Sequence, residues 1–222
     1  MDALWISISN NFMLPPCSHN KIAYNTSMHQ ASTKPVRNRA YYAAENAILN
    51  CRATMNFRSL AECATPDIRA AADTWYAEAG TFARDLPRHD WSFETACAVV
   101  AAFSPRIRWD QNKRKAFQYA HGIMPKGLRS HIAAADRCVA KGGFDGLDGL
   151  KTNAFARAIA GDQTAVVIDI WMCRAAGLGK DSLTTGQYRA ISDAVRTVAR
   201  EHNMAPAVMQ ALIWIVIRGK AQ

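Results

Sequence analysis

The chain has 222 residues, half of them hydrophobic, with a formal charge of +9 and a sequence pI near 9.5. That length buries one globular core, and no apolar run, Ala211 to Ile217 included, is long enough to cross a bilayer. The positive balance favours a polyanion as partner, and the six cysteines (17, 51, 63, 97, 138 and 173) lack Cys-x-x-Cys pairing, which points to reduced thiols and away from structural zinc.

Residues 1–35 mix Asn, Ser, Pro, His and Met without helical or strand period, apart from the apolar patch Leu4–Ile8. They read as a poorly ordered extension, and the start has no basic stretch of the kind a signal peptide carries. The domain then runs over 36–222. A first helix begins near Val36, with Tyr41, Tyr42, Ala44, Ile48 and Leu49 expected on its inner face. A second follows Thr65-Pro66, an N-cap and a first-turn proline, and stops before Pro87. Ser92 caps a third, whose Ala96–Phe103 stretch is apolar enough to be buried.

The segment Ser104–Lys115 carries five basic residues and one tryptophan, and a helix over about 110–119 grows from it. Another is predicted over about 127–139, followed by the glycine-rich turn 141–149. Helices over 151–160, 170–176 (with Gly177 as a left-handed cap), 185–201 and an all-round apolar, central 206–218 complete the chain. No strand-turn-strand signal occurs, so the fold class is all-α.

The chemistry concentrates around the turn. A glycine-rich turn that opens a helix presents unpaired backbone N–H groups, which suit a phosphate; Gly146 and Gly149 are the candidates. Lys151 falls in the first helical turn, where the helix dipole opposes a cation and favours the neutral, nucleophilic amine. The following helix is about 15 Å long. The eight residues after it reach at most roughly 27 Å, enough to bring Asp169 back to the level of Lys151. Ala165–Ile168 would wall that carboxylate with apolar side chains.

Lys151-Thr152, Asp169 eighteen positions after the lysine and Arg174 five later resemble the helix-hairpin-helix DNA glycosylase superfamily, in particular its endonuclease III-like branch. Phe103-Ser104 followed by Arg106 and Asn112, and Trp214–Gly219, are softer matches to the same family. The resemblance covers roughly residues 92–222 and implies a two-lobed helical fold with a helix-hairpin-helix element. It implies Lys151 as nucleophile and Asp169 as activating carboxylate, with Gly146, Gly149, Thr152, Arg106, Arg108, Lys113 and Arg114 on double-stranded DNA. Ser104 and Trp171 would face the flipped base, Arg106 would be the wedge, and Arg174 would be a structural helix residue. The chain stops three residues after Gly219, so no iron–sulfur cluster is expected, although the hairpin suits a monovalent cation.

The expected activity is excision of a modified or damaged base, with a lyase step, by a cytoplasmic monomer in a bacterial or phage-infected cell. Two alternatives use the same residues: group transfer onto a modified thymine, as in phage DNA hypermodification, and a non-catalytic DNA-binding module.

Overall fold

The computed structural model describes residues 37–180 and 182–219; the expected N-terminal extension, Cys17 included, lies outside the described residues. Among them are nine α-helices, one 3-10 turn and no strand, so the described residues form an all-helical fold. None of these helices is long and apolar enough to cross a membrane.

Local chemistry sets most of the boundaries. α1 (Arg39–Glu62) is capped by Asn38, and α2 (Pro66–Arg84) by Thr65, with Pro66 in its first turn. α3 (Phe93–Ala102) starts at Ser92, whose hydroxyl accepts the Thr95 amide at 3.1 Å. α4 (Trp109–Ala120) and α5 (Arg129–Lys141) follow, and Gly142 ends α5 at φ +74°, a left-handed conformation that glycine adopts without a steric cost. A 3-10 turn (Phe144–Gly146) leads to α6 (Leu150–Ile159) and then α7 (Ile170–Ala175). α8 (Thr185–Glu201) opens with a reciprocal capping box between Thr184 and Gln187, and α9 (Pro206–Arg218) closes the described chain.

The core is built on small residues. Every residue from Ala96 to Phe103 is buried, as its composition required, and α3 packs against α5 and α6. α2 lies along α9, which buries Met209, Leu212, Ile213 and Ile215. α1 lies along α8, and here the inner face differs from expectation. Of the five residues predicted for it only Leu49 is buried, while Tyr42 and Ile48 are 47% and 67% exposed. The buried ridge is Leu49, Ala53, Phe57 and Ala61, spaced by four so that they stack on one face. The alanines on that ridge let the α8 backbone approach, and the first turns of α1 stay in solvent.

Candidate active site

The apolar stretch Ala165–Ile168 is buried and carries the chain from α6 to α7. Tyr188 of α8 holds it in place: its hydroxyl donates to the Val166 carbonyl at 2.8 Å and accepts the Ile168 amide at 3.3 Å. Burial raises the Tyr188 phenol to about 12, so it stays protonated as the donor. The next residue, Asp169, is the N-cap of α7. One of its carboxylate oxygens accepts the Trp171 and Met172 amides at 2.9 and 3.0 Å, and the other accepts the indole N–H of Trp214 at 2.9 Å. Three donors on two oxygens fix the carboxylate's orientation and leave it acceptor capacity.

Asp169 opens onto a cavity of about 540 Å³. Lys151, the second residue of α6, lines the same cavity, so the two residues expected to act together share one space. They form no ion pair with each other, and the side-chain amine of Lys151 has no hydrogen-bond partner among the described residues. The α6 N-terminus has no side-chain cap, Gly149 occupying that position. Ser104, Trp171, Arg106 and Arg108, all expected near the base or the DNA, line the cavity as well.

The walls are aromatic. Trp75 is the hub, with its ring centroid 5.6 Å from Trp109, 5.7 Å from Trp214 and 5.9 Å from Phe155. Such pairs add about 0.5–1.5 kcal/mol each beyond the area they bury. Guanidinium groups stack on two further faces: Arg218 lies 4.3 Å from the Trp214 ring and Arg174 4.6 Å from Trp171. Arg174 is thus an exposed helix residue braced on an aromatic ring. Tyr76 is buried in the wall and donates to the side-chain oxygen of Gln210. Burial first, then the negative charge of Asp169, pushes its phenol well above the ordinary value, so it remains neutral.

Two polar atoms in the lining have no hydrogen-bond partner, the Ser104 hydroxyl and the Asn112 amide oxygen, and Asn112 is only 3% exposed. An unsatisfied buried polar group costs about 1–3 kcal/mol.

The remaining candidates fall in different places. Gly149 and Thr152 line a neighbouring hollow of about 270 Å³, which Arg106 also lines, so Arg106 borders both spaces. Arg106 is exposed and has φ +62°, a strained backbone for a side chain with a Cβ. Lys113 leans over Trp109, and Arg114 is exposed on α4 without lining either space. Gly146 is buried and its amide donates to the Gly143 carbonyl, so its N–H is not free for a phosphate; its carbonyl accepts from Arg137. A Cβ there would overlap the backbone of Cys138, which makes Gly146 a packing residue between the turn and α5. No group of three or more His, Cys, Asp or Glu side chains suited to a metal occurs among the described residues.

Trp75, Gln210 and Trp214 were not legible as site residues, because each reaches the cavity from a helix distant in sequence from Lys151, and Phe155, four residues after Lys151 on α6, read only as an apolar helix residue. Residues 40–221 match the model of the family of unknown function DUF7178, and the chain belongs to that family. No curated protein and no solved structure matches the chain.

Proposed function

We propose that the protein is a DNA N-glycosylase with an associated lyase step, acting on a modified or damaged base flipped out of double-stranded DNA. The observation that carries the reading is the meeting of Lys151 and Asp169, eighteen positions apart, in one aromatic-walled cavity. On this reading α5, the turn over 142–149 and α6 form a helix-hairpin-helix element in a two-lobed glycosylase-like fold. The hairpin places Gly149 and the uncapped N-terminus of α6 against a phosphate, with Arg106, Arg108, Lys113 and Arg114 along the backbone.

The amine of Lys151 attacks C1′ of the extruded nucleotide as the bond from C1′ to the base breaks. The base leaves with the bonding electron pair and takes up a proton. Asp169 stabilises the positive charge developing on the sugar and receives the proton lost from the amine. Opening of the sugar ring gives a Schiff base on Lys151; loss of a C2′ proton to solvent then breaks the C3′–O bond, and the 3′ phosphate leaves with the bonding pair. The tryptophans exclude water and stack on the base, and Arg106 fills the gap left in the duplex.

Borohydride reduction of the Schiff base tests this directly. Incubation with duplex DNA carrying an abasic site or a modified base should give a covalent protein–DNA adduct. No adduct with the wild-type protein, or an equal adduct with Lys151→Ala, overturns the assignment.

A further inference from the structure

We infer that Asn112 and Ser104 form the reading edge of the cavity and select a nucleobase that presents an adjacent hydrogen-bond donor and acceptor; this rests on the glycosylase reading above. Buried polar side chains in folded proteins nearly always find partners, so an orphan inside a cavity marks a place where something else completes the bond. Four buried side-chain polar atoms lack a partner among the described residues, on Trp91, Ser104, Asn112 and Ser192, and two of them belong to this one cavity. Gln210, the other buried carboxamide in the lining, is already tied to Tyr76. The unspent capacity therefore sits on the α3–α4 side.

Its chemistry narrows the ligand. A carboxamide offers one donor pole and one acceptor pole, and a hydroxyl can serve as either. Both groups are neutral, so they suit a neutral heterocycle better than a phosphate or carboxylate. The Trp75 and Trp109 rings beside them favour a planar ligand. Arg106 and Arg108 are exposed, which keeps the cations at the mouth, where the sugar–phosphate backbone would lie. A base edge with neighbouring donor and acceptor groups makes two hydrogen bonds to Asn112 and a third to Ser104.

Tryptophan fluorescence tests the inference, since the rings in the wall report occupancy. The wild-type protein is titrated with free uracil, cytosine, adenine and hypoxanthine, with toluene as an apolar planar control. At least one base should bind saturably. Asn112→Leu should weaken it about tenfold or more while leaving toluene bound. Asn112→Asp, of the same size, replaces the donor pole with an acceptor and should reorder the preference among the four bases; thermal melts establish that each variant is folded. Saturable binding of no base, or equal base affinity in the wild type and both Asn112 variants, overturns the reading edge. Borohydride trapping of the wild type on abasic DNA is scored separately. Base binding that depends on Asn112 without an adduct sinks the Lys151 chemistry alone, and an adduct with Asn112-independent base binding sinks the edge alone.

Discussion

The indole N–H of Trp214 in α9 donates to one carboxylate oxygen of Asp169 at 2.9 Å, while the other oxygen caps α7. The same carboxylate is a helix cap and, on the proposed mechanism, the group that assists Lys151. Substitution separates the two roles. Asp169→Asn keeps an oxygen for the cap but removes the charge, and should lower the trapping rate roughly 100-fold or more. Asp169→Ala should lose as much activity and, in addition, about 1–2 kcal/mol of stability from the cap. Trp214→Phe keeps the charge and loses the orienting donor, so its trapping rate should fall by a smaller factor, about tenfold. Single-turnover trapping and urea unfolding on the three variants measure these effects; equal trapping by Asp169→Asn and the wild type would leave Asp169 only a cap.

Two of the glycines between α5 and α6, Gly146 and Gly149, should respond in different ways. Gly146→Ala puts a methyl group into the backbone of Cys138 and should cost about 2–3 kcal/mol of stability. Gly149 has φ −90°, and a Cβ there meets only the Thr152 hydroxyl at 3.0 Å, so Gly149→Ala should fold and show its effect on DNA affinity instead. Thermal melts and a fluorescence-anisotropy titration distinguish these outcomes.

Arg106 trades strain for position. Arg106→Gly should raise stability by about 1 kcal/mol because glycine adopts φ +62° without a steric cost. Arg106→Ala retains the strain and should gain nothing. Both should reduce trapping on duplex substrate much more than on single-stranded substrate, where no gap in a base stack needs filling. Equal loss on both substrates would assign Arg106 to phosphate binding.

Stability should decline at alkaline pH. Burial raises the Cys138 thiol from 9.0 to about 11, the Cys97 thiol from 9.0 to about 12, and the Tyr188 phenol from 10.0 to about 12. The unfolded chain therefore loses these protons first. The stabilisation is fully present below pH 9 and disappears as pH climbs toward the folded-state values. Tyr188→Phe should be less stable than the wild type at pH 8, having lost two hydrogen bonds, yet about 1 kcal/mol less sensitive to a change from pH 9 to 11. Urea unfolding at both pH values measures the difference.

Arg108, Lys113 and Arg114 test the nucleic-acid partner. If each neutralises one phosphate, each alanine substitution should reduce the slope of log affinity against log salt by about 0.9. A duplex affinity independent of salt would remove DNA as the ligand.

Helix boundaries were legible in the chain because capping is local chemistry. Thr65-Pro66, Ser92 and Gly177 act within four residues of their partners, and each marks an observed helix end. The burial of Ala96–Phe103 followed from composition in the same way. The spacing from Lys151 to Asp169 was also readable, since the length of α6 and the reach of the following segment bound where the carboxylate returns. By contrast, the inner face of α1 was misread from its aromatic residues, because contact with α8 is decided by where small side chains allow approach. Gly146 resembled a phosphate-binding glycine until α5 was found lying against it.

The tertiary structure alone decided the wall that α2 and α9 build around Lys151 and Asp169. Trp75 on α2 and Gln210 and Trp214 on α9 reach the residues of α6 and α7 only because α2 packs on α9 and against α6, and α7 on α9. No local pattern encodes such a meeting, since hydrophobic burial drives helix faces together without regard to sequence separation. Only in the assembled cavity does the Trp214 indole find Asp169, and only there are the polar groups of Asn112 and Ser104 left without a partner.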